Sequence, residues 1–290
     1  MNAGRPVAGL RAVPEPHPPA SGAKPGAVHI AIDGVGKRFR RGKQETIALD
    51  DVNLTLDEGE FVAVVGPSGC GKSTLLRLVS GLLPATSGEI RIGGEKVIGA
   101  RTDTGIVFQK PILVEWRTVL GNVLLQTDLR GMQREAFAER ARTLLAAVGL
   151  KDFADCYPHQ LSGGMQQRAA IARSLIHRPA TLLMDEPFGA LDALTREQIR
   201  LDLEALWMKG RITVFFITHS IDEAVLLADR VAVMGPRPGH IERIIDVPLP
   251  RPRGLAARKD PRFAVLVDEI TEIFLARGVL REEDPVGLGG

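Results

Sequence analysis

The run Gly66-Pro67-Ser68-Gly69-Cys70-Gly71-Lys72-Ser73 constrains this chain more than any other feature, because it stands between the apolar stretch Phe61-Val-Ala-Val-Val65 and the helix-prone stretch Lys72-Ser-Thr-Leu-Leu-Arg-Leu-Val79. It matches G-x-x-x-x-G-K-[ST] in the strand–loop–helix setting that this pattern needs. Glycines at 66, 69 and 71 let the backbone curl until several N–H groups converge on one anion, and the N-terminal end of the next helix adds positive potential. Lys72 supplies a mobile charge for β- and γ-phosphates, Ser73 offers a hydroxyl to Mg²⁺, and Thr74 continues the loop into the helix. Cys70 reads as a small residue that fits, with a thiol acidified by the helix N-terminus as the alternative.

Such a loop belongs to a parallel α/β sheet, and the rest of the chain agrees. Thr181–Met184, Ile212–Ile217 and Val231–Met234 are apolar strand-like runs separated by helical stretches. Val28–Ile32 and Ile47–Leu56 read as further strands, and Glu89-Ile-Arg-Ile, Gly93-Gly94 and Lys96-Val-Ile predict a hairpin forming an antiparallel edge beside the parallel core. Phe137, Ala141, Leu144, Leu145 and Val148 recur at helical spacing, so residues 111–178 read as a mostly helical insert. Phe263, Leu266, Val267, Ile270, Ile273 and Phe274 share one helical face, expected to pack on the domain itself, with a partner surface as the alternative. Residues 1–27 hold Pro6, Pro14, Pro16, Pro18, Pro19 and Pro25 among small residues, too few large apolar groups to offset the entropy of ordering, and a disordered tail is expected there.

Composition excludes several classes. The 37 Lys and Arg nearly balance 35 Asp and Glu, so a net charge of +2 provides no global field for nucleic acid or anionic lipid. The short basic run Lys37-Arg-Phe-Arg-Arg-Gly-Lys43 reads as a solvated hairpin rather than a nucleic-acid patch. Two cysteines, Cys70 and Cys156, are too few for a disulfide framework and fit a reducing compartment. No run approaches the roughly 18 apolar residues of a spanning helix. The start, Met1-Asn-Ala-Gly, leads into no apolar signal core, so membrane association is expected through a partner.

Leu182-Leu-Met-Asp185-Glu186 is an apolar strand ending in two carboxylates, which puts charge at the carboxyl edge of a parallel sheet, where ligands bind. Asp185 can hold Mg²⁺ through water. Glu186, pointing the other way, can polarise a water for in-line attack on a γ-phosphate. Ser162-Gly163-Gly164-Met165 precedes a helix-forming run, with Ser162 as the expected N-cap and two glycines that allow close approach of an anion. One nucleotide per chain does not need two phosphate-binding helix starts; the simplest resolution is that the two sites face different copies, with ATP between them.

In this order the elements resemble an ATP-binding cassette (ABC) ATPase domain over residues 28–247. The resemblance implies a P-loop NTPase fold with a RecA-like parallel core, an antiparallel β subdomain and an α-helical subdomain at about 111–178, followed by a helical extension at 248–290. It implies that 66–74 is the Walker A loop, that 181–186 is the Walker B strand, and that Ser162, Gly163, Gly164 and Met165 form the signature acting across a head-to-tail dimer. Met165 stands where many members carry glutamine. Gln109 in Val107-Phe-Gln resembles the Q-loop glutamine, contacting Mg²⁺ and the attacking water; otherwise it is a surface amide. Asp192 in Ala190-Leu-Asp resembles the D-loop, and His219 the switch histidine that holds Glu186; otherwise His219 caps the next helix. Phe39 resembles the aromatic that stacks on adenine, with a core role as the alternative.

Leu113-Val-Glu-Trp116-Arg-Thr-Val-Leu-Gly-Asn122 and Met234-Gly-Pro-Arg-Pro-Gly239-His resemble the nitrate, sulfonate and taurine branch of bacterial importers, although Glu115 stands where that branch usually has proline. The branch implies transmembrane permease subunits whose coupling helix docks near Leu113, Val114 and Trp116, a solute-binding protein acting through them, and a peripheral place on the cytoplasmic face of the membrane. A non-transport ABC ATPase acting on nucleic acid or a protein complex is the rival; no long coiled-coil run, cysteine cluster or second motif set supports it. A nucleotide-binding protein that does not hydrolyse ATP is a third reading, opposed by Glu186 and His219.

Overall fold

The computed structural model describes residues 27–42, 44–189 and 191–279; apart from Ala27, the tail expected at 1–27 lies outside them, as do Ala190 of the expected D-loop and the last residues of the extension. Five strands form the parallel core: β3 (Phe61–Val65), β6 (Thr104–Val107), β7 (Thr181–Asp185), β8 (Thr213–Ile217) and β9 (Arg230–Met234). Their order is β9-β3-β8-β7-β6, with β10 (Ile241–Asp246) added antiparallel outside β9. Parallel strands covered on both faces read as continuous apolar runs. Phe61, Ala63 and Val65 of β3 face one core with Val214 and Phe216 of β8. Val62 and Val64 face the other with Phe215 and Ile217.

The second core is closed by a separate sheet. β1 (Val28–Arg41), β2 (Gln44–Asp57), β4 (Ser87–Ile92) and β5 (Glu95–Lys96) pair antiparallel in the order β2-β1-β4-β5. The hairpin expected at 89–98 belongs to this sheet, which is the antiparallel β subdomain expected; Ile30, Ile32, Leu54, Leu56, Ile90 and Ile92 give it an apolar face that packs over α1 (Lys72–Val79). Gly93 and Gly94 take φ values of 59° and 80°, the positive pair a two-residue hairpin turn needs. Residues 37–42 of the basic run lie on the β1–β2 hairpin, where Glu45 pairs with Arg38 and Arg40 in an exposed setting.

The first core receives the helical insert: α2 (Val119–Val123), α3 (Leu125–Leu129), α4 (Arg134–Ala147) and α5 (Gly163–Leu175). After it come α6 (Ala193–Gly210), α7 (Ile221–Leu227) and α8 (Pro261–Ala276). On α8, Phe263, Leu266, Ile270 and Phe274 join the same core, so this face packs on its own chain. The connection is pinned by Arg253, whose buried guanidinium donates to the carbonyls of Val225, Ala228, Val247 and Leu249. Burial lowers its pKa to about 10, with neighbouring Arg251 adding to the effect, and it stays charged at neutral pH.

Candidate active site

Every side chain predicted to meet the phosphates or the attacking water from within one copy lies at the carboxyl end of one of four adjacent strands, β3, β8, β7 and β6, the edge where open α/β sheets bind ligands. Past β3, Gly69 and Gly71 take φ values of 75° and 115°. A Cβ at Gly71 would meet Leu49 Cδ2 at 2.6 Å, so only glycine fits. Lys72 begins α1 and donates from Nζ to the carbonyls of Gly66 (2.8 Å) and Pro67 (3.0 Å). Cys70 is buried, which pushes its thiol pKa up and favours the small-residue reading over a reactive thiol.

Ser73 Oγ donates to Asp185 Oδ1 at 2.9 Å, bringing two hard oxygens together across 112 residues of sequence. Burial raises the Asp185 pKa; the Ser73 hydrogen bond opposes this and the Glu186 charge adds to it. Such a pair suits Mg²⁺, which takes one or two protein oxygens and completes its shell with phosphate and water; among the described residues no cluster of three or more His, Cys, Asp or Glu offers an all-protein cage.

Glu186 diverges from Asp185 by a turn, not by strand alternation. β7 ends at Asp185, and Glu186 takes φ 44°, a left-handed conformation that costs a non-glycine residue about 1 kcal/mol or more. The bonds Glu186 N–H to the Ile217 carbonyl (2.9 Å) and Gly189 N–H to the Glu186 carbonyl (3.2 Å) hold it there. Its Oε2 accepts from Gln109 Nε2 at 3.0 Å and lies 3.5 Å from His219 Nδ1. Gln109 is therefore not a free surface amide. Nor does His219 cap α7: Ser220 does, accepting from Glu223 N–H at 3.3 Å.

Ser162 caps α5, accepting from Met165 N–H at 3.3 Å, and Gly163 beside it faces open space. A Cβ on Gly164 would strike Thr195 Cγ2 at 2.8 Å, so this turn lies against the start of α6, where Asp192 accepts from Thr195 N–H at 3.0 Å. Ser162, Gly163 and Asp192 are exposed there, while Gly164 and Met165 are half-buried, Met165 against the first core. Phe39 is exposed on β1 with Lys37 Nζ 5.3 Å from its ring centre, which removes the core reading. Of the three docking candidates Leu113 is buried, Val114 half-buried, and Trp116 80% exposed; Ile112 in the same segment is exposed too.

Sequence reasoning missed the braces. Asn122, fully buried, accepts from Val114 N–H at 2.7 Å and donates to the carbonyls of Val114, Arg117 and Thr118, fixing the loop that carries Trp116. Gln167 of α5 donates to the Phe108 carbonyl at 3.1 Å, next to Gln109, and Arg173 of the same helix to the Ile112 carbonyl. A signal for Gln167 existed: it shares a helical face with Ala170, Ile171 and Ser174, all buried.

A parallel sheet presenting this loop, with an antiparallel sheet over α1 and a helical insert, defines a P-loop NTPase of the ATP-binding-cassette class. The family model described as ABC transporter matches residues 49–189. The taurine import ATP-binding protein TauB of Rhizobium johnstonii is 45% identical over 81% of this chain and 91% of its own. The nitrate import ATP-binding protein NrtD of Synechocystis sp. is 41% identical over 86% of this chain and 96% of its own. The dimeric structure of a bacterial ABC transporter cassette, 37% identical, superposes with a TM-score of 0.68 over 75% of this chain and 98% of that one. The chain belongs to the ATP-binding proteins of ABC transporters, and it is an ATPase.

Proposed function

We propose that this chain is the ATP-hydrolysing subunit of an importer for a small anionic or zwitterionic solute such as nitrate, a sulfonate or taurine. The observation that carries the chemistry is the single oxygen Glu186 Oε2, addressed by both Gln109 and His219 one residue beyond the Asp185–Ser73 pair. Gly66 to Thr74 cradle the triphosphate, Lys72 neutralises it, and Phe39 stacks on adenine. Ser73 and Asp185, with the Gln109 amide oxygen, would hold Mg²⁺, which would supply charge neutralisation at the phosphates. Glu186 orients and deprotonates the attacking water, while His219 steadies that carboxylate and meets the γ-phosphate.

Ser162, Gly163, Gly164, Met165 and Asp192 serve the nucleotide of a second copy in a head-to-tail dimer, as the exposure of Ser162, Gly163 and Asp192 supports. The pair docks on transmembrane permease subunits at the membrane's cytoplasmic face, with a solute-binding protein reached through them; no helix among the described residues is long and apolar enough to cross a membrane itself. The names of the taurine and nitrate relatives support this solute class. The test is association: the Glu186→Gln chain with Mg-ATP is expected to elute as a dimer, and the wild-type chain to co-purify with two hydrophobic subunits. A monomer under those conditions refutes the sandwich, and nucleic-acid-stimulated hydrolysis without such subunits refutes the transport reading.

A further inference from the structure

The phosphate loop is held from outside as well as from within. The loop of residues 235–240, between β9 and β10, runs along its outer side, and Arg237 Nη2 donates to the Gly69 carbonyl at 3.0 Å. Two residues on, a Cβ at Gly239 would fall 2.1 Å from the Cys70 carbonyl oxygen, so the next peptide plane of the phosphate loop lies directly against this backbone. Gly239 is in turn knit to β2, donating its N–H to the Ala48 carbonyl (2.9 Å) and accepting from Asp50 N–H (3.0 Å). The far end of the 235–240 loop is anchored too: Glu242 lies 3.1 Å from His240 Nε2 and accepts from Arg277 just past α8.

Peptide geometry gives the Arg237 contact its consequence. In a trans peptide the C=O and N–H point in opposite directions. A Gly69 carbonyl drawn outward to Arg237 therefore turns the Cys70 N–H toward the inner side, where it reaches the Pro67 carbonyl (3.3 Å) that Lys72 Nζ also contacts. With glycine at φ 75° before it, this plane has little steric resistance to flipping, and a flip would present a carbonyl oxygen to phosphate instead of a donor.

Building on the reading of 66–74 as the ATP loop, we propose that Arg237 is a positioning residue that sets the Gly69–Cys70 peptide plane, keeping the Cys70 N–H on the inner side of the loop, where it donates to the Pro67 carbonyl beside Lys72 and where a bound triphosphate would lie. In this role it acts through the backbone of the phosphate loop, by its bond to the Gly69 carbonyl.

The experiment is equilibrium titration of the full-length wild-type, Arg237→Ala, Arg237→Lys and Lys72→Ala chains with a fluorescent ATP analogue, alongside steady-state ATPase. Arg237→Ala is expected to weaken nucleotide binding about fivefold to tenfold, the share of one ordinary hydrogen bond, and to raise KM equally while kcat stays within about twofold. Arg237→Lys, keeping a cationic donor but not the fork, is expected to recover part of the loss. Arg237 is exposed, so Tm is expected to move by less than about 2 °C. Unchanged affinity and KM in Arg237→Ala overturn the inference, as does a fall in kcat at unchanged KM. A wild-type chain that fails to bind the analogue, or a Lys72→Ala chain that binds like wild type, instead refutes the ATP-loop reading on which it rests.

Discussion

Glu186 combines a left-handed backbone, a half-buried carboxylate and two neighbours that converge on one of its oxygens. Strain of this kind persists where surrounding structure over-determines it, and here the sheet does so through the Ile217 carbonyl. A glutamine at 186 keeps the shape and the backbone demands while losing the proton-accepting oxygen. Glu186→Gln is therefore expected to bind ATP normally and to hydrolyse it about 10² to 10⁴ times more slowly, the usual share of a general base. Phosphate release under single-turnover conditions checks this; near-wild-type turnover would remove Glu186 from the base role.

Among the elements, α5 has two jobs. Its N-terminus presents Ser162 and Gly163 to solvent, while Gln167 and Arg173 hold the backbone at Phe108 and Ile112. One rigid helix thus joins the Ser162 turn to the segment carrying Gln109 and, through it, to the face bearing Trp116. Asn122 of α2 performs the matching task for residues 114–118. Removing its amide leaves the Val114 N–H and several carbonyls buried without partners, a loss of about 2 kcal/mol. Asn122→Ala is expected to lower the unfolding free energy by that amount and to speed amide exchange selectively across 113–118. Uniform exchange through the insert would deny the local brace.

For the molecule as a whole, His177 links stability to pH. Burial, with the positive charge of Arg130 beside it, lowers its pKa to about 4 from the ordinary 6.5. The folded chain then binds fewer protons than the unfolded one between those values. Stability is full above pH 6.5, falls as pH drops toward 4 and levels off below, for a loss of about 3 kcal/mol. His177→Leu is expected to remove that share of the slope, read as the wild-type-minus-variant difference in denaturant unfolding at pH 7, 5.5 and 4.5; parallel curves would contradict it. The proposed head-to-tail pairing is open to a second test at this scale. Lys72→Ala and Ser162→Arg chains, each inactive alone, are expected to regain hydrolysis when mixed, because one of the two composite sites then combines an intact phosphate loop with an intact Ser162 turn. No recovery on mixing would mean that both motifs serve the same copy's nucleotide.

What could be read along the chain was whatever local chemistry specifies. The loop at 66–73 announces itself because curling around an anion needs glycine, lysine and serine at set places, and β3, β7, β8 and β9 do because strands buried on both faces are apolar throughout. Gln109, Asp192 and His219 have no such local signature and emerged only through resemblance. The tertiary structure alone decided that Glu186 swings away by a left-handed turn and that Asn122, Gln167, Arg237 and Arg253 act as braces. The reason is common to all of them. Their partners are mostly backbone carbonyls, which every residue carries, and a hydrogen bond to a carbonyl brought close by folding leaves no mark on the identity of the residue that supplies it.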